Sequence, residues 1–408
     1  MANARRTRRR RDKPSRPSAL SSTRPAPREW GRLFLSLLLT LPAFFFSLYR
    51  RLEARCFALG LARVCRPAAA TVAVGGMSAD CRGRVLLTSW LLGWAAARGV
   101  TAAVAGPVGD GCPPVRPFQV MPGTSPEEAG VEAALLARYA PSGRVLIDAD
   151  PRDAAASAVR AFGPDMLVLQ DALGEPRLRR DLELAILTPD DLGAGFGRVF
   201  PAGSWRRPPD VLSRAAAFCV HAGPLTLDAA MAAAQKRLAV YGKPVFGMTF
   251  SIWRWRGPDG PAAASALAGT PYITVLGESD RDSLPELFRR DLEAAPRMAF
   301  YVHDRHRFTR QDFEHLRADA IRLKVSVIVT SPRFDLKLRQ GGACLDGLSV
   351  WTYDPEVVFG PTLFTDQSFL AWWEDHFGAV LHNRLPDEER PCHSTRAAAS
   401  SCRPSSPP

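Results

Sequence analysis

Residues 71–84 read TVAVGGMSADCRGR, and this stretch decides the fold that the sequence predicts. Thr71 to Val74 form a short β-branched run, which the paired glycines Gly75 and Gly76 follow. β-Branched residues favour strands, and glycine permits a tight turn. An apolar helical stretch begins near Val85. A strand, a glycine-rich loop and a helix in succession are the unit from which parallel α/β sheets are built.

The same alternation continues along the chain in two rounds. Short β-branched runs are separated by Ala/Leu/Arg-rich helical stretches, which predicts an α/β fold with a parallel sheet covered by helices on both faces. Thr309 and Asp312 form a capping-box pattern, so we expect a helix to start there. The expected strands are Thr71–Val74, Val100–Ala105, Arg144–Asp148, Met166–Gln170, Leu182–Leu187, Ala216–His221, Val245–Thr249, Tyr272–Leu276, Met298–Val302 and Val325–Thr330.

Changes in composition divide the 408 residues into segments, and the length is sufficient for two ordinary domains. The expected fold is a P-loop-like parallel sheet domain and a smaller second α/β domain, preceded by a membrane-associated helix. The predicted segments are a disordered basic tail (1–28), the membrane-associated helix (29–66), the P-loop-like domain (67–225), the second α/β domain (226–345), a C-terminal extension (346–385) and a disordered tail (386–408).

The net charge of +12 is concentrated at one end of the chain. Residues 1–28 contain ten Lys or Arg and one Asp, so they carry +9 and leave +3 for the rest. A broad basic face is therefore not expected on the folded part, and no specific nucleic-acid partner is predicted. The eight cysteines form no C-x-x-C pair, so neither a zinc ribbon nor a redox motif is indicated. No obligate protein partner is evident either.

Residues 33–49 form a run of 17 residues without a charge, and arginines flank it on both sides. A spanning helix needs roughly 20 apolar residues, and Pro42 interrupts this run. An interfacial helix that the arginines hold to an anionic membrane surface fits at least as well. A cleaved signal peptide is the third interpretation, but Arg50, Arg51 and Arg55 occupy the region where its cleavage site would lie.

The loop after the first strand lies where α/β proteins bind phosphates, at the carboxyl end of a strand that leads into a helix. A P-loop ends in Gly-Lys-Ser/Thr, with a lysine for the outer phosphates and a hydroxyl for magnesium. Neither residue is present here, and Asp80 adds negative charge. The alternative is a tight strand-to-helix turn. The candidate nucleotide-binding residues are Gly75, Gly76, Ser78, Arg82 and Arg84.

Two further clusters place ionisable groups at strand ends. Asp171 follows the strand Met166–Gln170, where a carboxylate can hold magnesium, accept a proton or simply cap a helix. The stretch from His303 to Thr309 packs several ionisable groups between a strand and the capped helix, and a solvated loop is the alternative there. The candidate catalytic residues are Asp171, Asp304, Arg305 and His306, and the candidate metal ligand is Asp171.

These stretches, in this order and spacing, resemble the tetraacyldisaccharide 4'-kinase family. Its members are membrane-associated enzymes that phosphorylate the lipid A precursor of Gram-negative bacteria. The resemblance spans about residues 30–338 and is most specific at 197–208, GRVFPAGSWRRP, where the family has GRLLPAGPLREP. Residues 176–183, PRLRRDLE, Glu132 before LLAR, and the stretch from Asp304 to Thr309 add further matches.

The departures from the family pattern fall on the positions that carry chemistry. The family's GGTGKT is GGMSAD here, so the phosphate lysine and the magnesium hydroxyl are missing. The family's DDGFQH begins with Gln170 and keeps Asp171, but it ends with Glu175. In the family's DHH, which aligns with 304–306, the first histidine has become Arg305. The family's SRGYG and TTEKD motifs are altered as well, near 105–107 and at 330–334.

The resemblance implies transfer of the γ-phosphate of ATP, with Mg²⁺, to the 4' hydroxyl of the lipid A precursor disaccharide at the cytoplasmic face of the inner membrane. Gly75 and Gly76 would then form the phosphate loop, and Asp304 with His306 would serve the acceptor. Losing one charged contact to the transferring group costs a factor of about 100 to 1,000 in rate. The alternative function is therefore an inactive relative that binds lipid or a partner enzyme through the retained scaffold.

Overall fold

The computed structural model describes residues 38–78, 81, 83–140, 144–281 and 283–383. The predicted tails 1–28 and 386–408 lie outside these residues, and so does Arg82 of the glycine loop.

Strands of the described part form one sheet of thirteen strands, and most of its pairs are parallel. The strands are β1 (Ala70–Gly76), β2 (Ala102–Pro107), β3 (Phe118–Val120), β4 (Val145–Asp148), β5 (Met166–Gln170), β6 (Leu182–Leu187), β7 (Ala217–His221), β8 (Val245–Gly257), β9 (Gly260–Ala262), β10 (Tyr272–Gly277), β11 (Met298–Val302), β12 (Val327–Thr330) and β13 (Ser349–Leu363). Their spatial order is β11-β10-β12-β13-β8-β7-β6-β1-β5-β2-β4-β3, with β9 beside β8.

Helices connect these strands. They are α1 (Thr40–Ala58), α2 (Gly83–Ala97), α3 (Pro126–Ala129), α4 (Val131–Tyr139), α5 (Pro151–Phe162), α6 (Pro189–Leu192), α7 (Leu227–Leu238), α8 (Leu284–Leu292), α9 (Arg310–Leu323), α10 (Pro332–Leu338) and α11 (Phe369–Asn383). The predicted capping box of α9 is confirmed, because the Thr309 side chain accepts from the N–H of Asp312 and the Asp312 carboxylate accepts from the N–H of Thr309.

The central strands are covered on both faces. Every residue of β1, β5 and β6 is buried, as expected for apolar strands of a parallel sheet between two helix layers. The sequence pattern ended the first strand at Val74, but the structure extends β1 to Gly76, because Gly75 and Gly76 pair with Ala185 and Ile186 of β6. The predicted α/β class with a parallel sheet is thereby confirmed.

The strands of the two predicted segments 67–225 and 226–345 belong to one sheet. The boundary between 67–225 and 226–345 falls between β7 and β8, which pair in parallel. The predicted extension 346–385 contributes a strand to the same sheet, because β13 pairs with β12 in parallel and with β8 antiparallel. Its helix α11 packs Trp373 edge-on against Trp94 of α2. One group of parallel strands (β1, β2 and β4 to β8) and a second group (β10 to β13) therefore belong to one continuous framework.

Helix α1 rests on this framework along one face. Ala43 is buried there, Phe46 packs edge-on against Phe200, and Arg51 pairs with Asp210 at 3.0 Å. Within residues 38–383, as far as they are described, no helix combines the length and the apolar character that a membrane crossing requires.

Candidate functional site

A cleft of about 280 Å³ opens beside the carboxyl ends of β2 and β5. Ligands of open α/β sheets bind outside the carboxyl ends of the strands, so the cleft lies where such a site is expected. Helix α10, which follows β12, contributes Arg333 and Lys337 to the lining of the cleft. The charged side chains that line the cleft are Arg84, Asp110, Glu132, Asp171, Arg206, Asp304, Arg305, Arg333 and Lys337.

Arg84 and Asp171 form the centre of a buried charge network. Arg84 Nη1 lies 2.6 Å from Asp171 Oδ1, and Nη2 lies 2.8 Å from Glu132 Oε1. Arg206 Nη2 donates to both oxygens of Asp171 at 2.8 and 2.9 Å. Burial alone would lower the pKa of Arg84, because it disfavours the charged guanidinium. The negative charges of Glu132 and Asp171 have the larger combined effect and raise the pKa of Arg84 above its usual value. The network fixes the carboxylate of Asp171 between two guanidinium groups.

The backbone of Asp171 also departs from the ordinary. Its φ of 56° lies in the left-handed region, which a non-glycine residue adopts at a cost. The residue follows β5 directly, and its N–H donates to the carbonyl of Val74 at 2.8 Å. A strained backbone conformation persists only where the surrounding structure enforces it, and such residues are frequent in functional sites.

The glycine loop after β1 is closely packed instead of open. A Cβ on Gly76 would approach the Cys81 thiol to 2.6 Å, so only glycine leaves room for this side chain. Cys81 is fully buried, and burial raises the pKa of its thiol to about 12. Gly75 and Gly76 are not among the described residues that line the cleft. The space beside Gly76 is therefore occupied by the chain's own thiol.

Ser78 points away from the cleft as well. Its hydroxyl lies 3.4 Å from Asp191 Oδ2, and its backbone forms a bridge with Trp205. The neighbouring carbonyl of Met77 accepts from the N–H of Arg206 at 2.8 Å. The GRVFPAGSWRRP segment thus holds the glycine loop in place and at the same time directs Arg206 toward Asp171.

The opposite wall carries Asp304 and Arg305. Asp304 Oδ1 accepts from Ser279 Oγ at 2.7 Å, and a Cβ on Gly277 would collide with this carboxylate. Lys337 Nζ donates to the carbonyls of Asp304 and His306 at 2.8 and 2.9 Å. Burial, and then the nearby Arg333, lower the pKa of Lys337. A single ammonium group therefore fixes the loop that presents Asp304.

His306 is not brought to the cleft with Asp304. Its Nε2 lies 3.2 Å from Asp312 Oδ2, and its ring packs edge-on against Phe308. Asp312 is the acidic residue of the capping box. The hydrogen bond from the N–H of Thr309 is the main cause that lowers the pKa of Asp312. The histidine expected on the acceptor side therefore supports the start of α9 in this arrangement.

Three cationic residues at the cleft were not among the candidates from the sequence: Arg206, Arg333 and Lys337. Arg206 lies in the family-like segment, where the pattern indicated resemblance and not a role. Arg333 and Lys337 are four residues apart on α10, so they lie on one helix face. This spacing was the available signal, but nothing local indicated that this face lines the same cleft as the ends of β2 and β5.

The side chains around Asp171 do not fit a magnesium ion in this arrangement. Mg²⁺ takes six oxygen ligands at about 2.0–2.1 Å, and both oxygens of Asp171 already accept from guanidinium groups. A divalent cation here would lie against two like charges. In the described part of the chain, His, Cys, Asp and Glu residues nowhere gather in groups of three or more that could hold a metal ion. The predicted role of Asp171 as a metal ligand stays a prediction.

The sequence matches a family model over most of its length. Residues 35–368 match the model described as tetraacyldisaccharide-1-P 4'-kinase. Two relatives carry the name tetraacyldisaccharide 4'-kinase. The one from Nitratidesulfovibrio vulgaris is 33% identical over 78% of this chain and 88% of its own. The one from Oleidesulfovibrio alaskensis is 32% identical over 74% of this chain and 85% of its own.

The fold is similar to a solved structure, that of LpxK from Aquifex aeolicus in complex with ATP. The TM-score is 0.62, and the match covers 85% of this chain and 99% of that one. The sequences are 18% identical, so the likeness concerns the fold. It agrees with the mixed α/β architecture and the large, mainly parallel sheet.

Proposed function

The chain belongs to the tetraacyldisaccharide 4'-kinase family, and on that premise we propose that it transfers the γ-phosphate of ATP to the 4' hydroxyl of the lipid A precursor disaccharide. A role in lipid A biosynthesis is what the family and the named relatives support. The position of the transfer, the use of ATP and the need for Mg²⁺ in this chain belong to the proposal.

The observation that carries the proposal is the convergence of the two candidate catalytic carboxylates, Asp171 and Asp304, with five cationic side chains on one cleft. Catalysis of phosphoryl transfer consists mainly of positioning and electrostatic stabilisation, so cations at such a cleft are what the reaction needs. Arg305 and Lys337 lie on the wall opposite Arg84. We assign the phosphates to these cations, which replace the missing lysine of the loop.

Asp304 is the residue we assign to the acceptor hydroxyl. Asp304 lines the cleft. The other candidate carboxylate, Asp171, accepts hydrogen bonds from Arg206 at both of its oxygens. The contact of Asp304 with Ser279 leaves acceptor capacity at the second oxygen. A carboxylate in this position can accept the proton of the attacking hydroxyl.

A second candidate function is an inactive relative that binds the lipid precursor or a partner protein. Two specific observations favour it: the enclosure of Asp171 by Arg84 and Arg206, and the thiol of Cys81 beside Gly76. These contacts leave the fold intact, but they engage the Asp171 carboxylate and fill the space beside Gly76, both of which phosphoryl transfer would need. This candidate predicts folded protein that binds lipid without turnover.

We place the protein at the cytoplasmic face of the bacterial inner membrane, with α1 on anionic lipid. Leu41, Phe45, Leu48 and Leu52 recur at intervals of three or four on α1, and all are exposed. They form an apolar stripe on a helix that also carries basic residues, which is the composition of an interfacial helix.

The test is label transfer by the purified full-length protein in detergent. It is incubated with γ-labelled ATP, magnesium and tetraacyldisaccharide 1-phosphate, and label is counted in the extracted lipid. We expect Asp304→Asn to reduce transfer by about 100-fold or more, in the range of a lost general base. Asp228→Asn, a matched change at an exposed position of α7, should leave transfer unchanged. Unlabelled lipid from folded wild-type protein that still binds it would exclude the kinase and support the scaffold.

A further inference from the structure

We propose that the cleft binds a polyphosphate through the chain's own N–H donors and cations, with no divalent ion bridging the phosphate to the protein. The inference rests on the proposed function insofar as that function gives the cleft a phosphate ligand. It differs from that function in what it predicts, because binding without metal does not require turnover.

Asp171 is the first reason. Its Oδ1 lies 2.6 Å from Arg84 and 2.8 Å from Arg206, and its Oδ2 lies 2.9 Å from Arg206. A carboxylate that two guanidinium groups already neutralise has little attraction left for a cation. The role of this residue is therefore to orient Arg84 and Arg206.

Gln170 is the second reason. The residue is among those that line the cleft, it is 6% exposed, and its Oε1 accepts from Thr88 Oγ1 at 2.7 Å. Its Nε2 is buried and finds no hydrogen-bond partner among the described residues. Buried polar groups without a partner are rare and call for a ligand or ordered water. An amide N–H donates to an anion oxygen and cannot coordinate a metal ion.

Charge and size point to the same ligand class. The described lining has five Arg or Lys side chains and four carboxylates, so the cleft retains a positive charge. Arg333 and Lys337 lie on one face of α10, and Glu132, the carboxylate nearest to Arg333 at 3.6 Å, is already bound by Arg84. The volume of about 280 Å³ lies near the lower end of the roughly 300–1,000 Å³ of small-molecule pockets. It suits a phosphate chain better than a whole nucleotide.

The test is calorimetric titration of inorganic pyrophosphate into the full-length protein in detergent, once in EDTA and once in magnesium. We expect binding in EDTA to be at least as tight as in magnesium, because bare pyrophosphate carries more negative charge than its magnesium complex. Pyrophosphate binding that is weaker in EDTA than in magnesium, or absent in both, would overturn the proposal.

Gln170→Glu provides the matching variant, since it keeps the side-chain length and replaces the amide donor by a carboxylate. We expect its affinity for pyrophosphate in EDTA to fall by about tenfold or more. Gln235→Glu, the same change at an exposed position of α7, should bind like the wild type. Equal affinity of folded Gln170→Glu and wild type contradicts the proposal, and if the variant does not fold, the comparison of EDTA with magnesium still decides. Label transfer to lipid is measured separately, so binding without transfer overturns only the kinase.

Discussion

At the scale of single residues, Arg84 connects carboxylates from two elements that lie far apart in the sequence. Its side chain is 6% exposed, and it pairs with Glu132 of α4 and with Asp171 after β5. Arg206 contacts the same Asp171, but its side chain is 43% exposed. The two arginines therefore share a partner and differ in their access to water.

This contrast gives a prediction about stability. Arg84→Met leaves two carboxylates without their buried partner, so we expect the free energy of unfolding to fall by about 3 kcal/mol. Arg206→Met removes a solvent-screened pair, and we expect a loss of less than about 1 kcal/mol. Urea denaturation followed by circular dichroism measures both, and equal losses would show that burial does not decide the strength of this network.

Gly277 offers a second prediction at this scale. A side chain there would collide with the carboxylate of Asp304, so we expect Gly277→Ala to displace Asp304 and to reduce label transfer by about 100-fold. Gly93→Ala is the control, because an added Cβ meets nothing within 4 Å on α2. This control should retain transfer and gain about 0.5–1 kcal/mol of stability. Full transfer by folded Gly277→Ala would remove Asp304 from the reaction.

At the scale of elements, helix α1 has two different faces. One face packs on the sheet framework through Ala43 and Phe46, while the stripe from Leu41 to Leu52 stays exposed. Exposed apolar stripes of this size mark surfaces of interaction. The arginines that follow the stripe give it a preference for anionic lipid.

The prediction from α1 concerns attachment to lipid. Phe45→Glu with Leu48→Glu should lower co-sedimentation with anionic vesicles by tenfold or more, because each buried side chain of this size contributes roughly 1.5–3 kcal/mol. Leu225→Glu with Val240→Glu introduces the same changes at exposed positions elsewhere and should have little effect. Wild-type protein that stays in solution with such vesicles would contradict the attachment through α1.

At the scale of the whole molecule, Asp335 links the two groups of strands. It is fully buried on α10, and it pairs with Arg138 of α4 at 2.9 Å and with Arg339 at 2.7 Å. The pair with Arg138 joins a residue of the segment 67–225 to one of the segment 226–345. Together with the pairing of β8 and β13, it makes the framework continuous.

Asp335→Asn tests this continuity. Removing the buried carboxylate from two arginines should lower the free energy of unfolding by about 3 kcal/mol, and unfolding should remain one cooperative transition. Tryptophan fluorescence and far-ultraviolet circular dichroism should shift together in urea. Asp319→Asn, at a surface pair with Arg322, is the control and should cost less than about 1 kcal/mol. Two separate transitions in the variant would show that the domains unfold independently.

The sequence by itself determined the α/β class, most of the buried strands and the capped start of α9, because these features depend on patterns within a few residues. It also showed that the family's phosphate lysine and first histidine are replaced. It missed the full length of β8 and all of β13, since an antiparallel pairing of two distant strands leaves no local signature.

Only the tertiary structure decided which side chains meet at the cleft. Arg84 finds its two carboxylates 48 and 87 residues away, and Lys337 reaches the loop of Asp304 across 33 residues. It also placed Cys81 beside Gly76, turned His306 toward Asp312 and left the amide of Gln170 without a partner. Such contacts depend on which surfaces the packed elements bury together, and the energy of a charge or a donor is set by that burial.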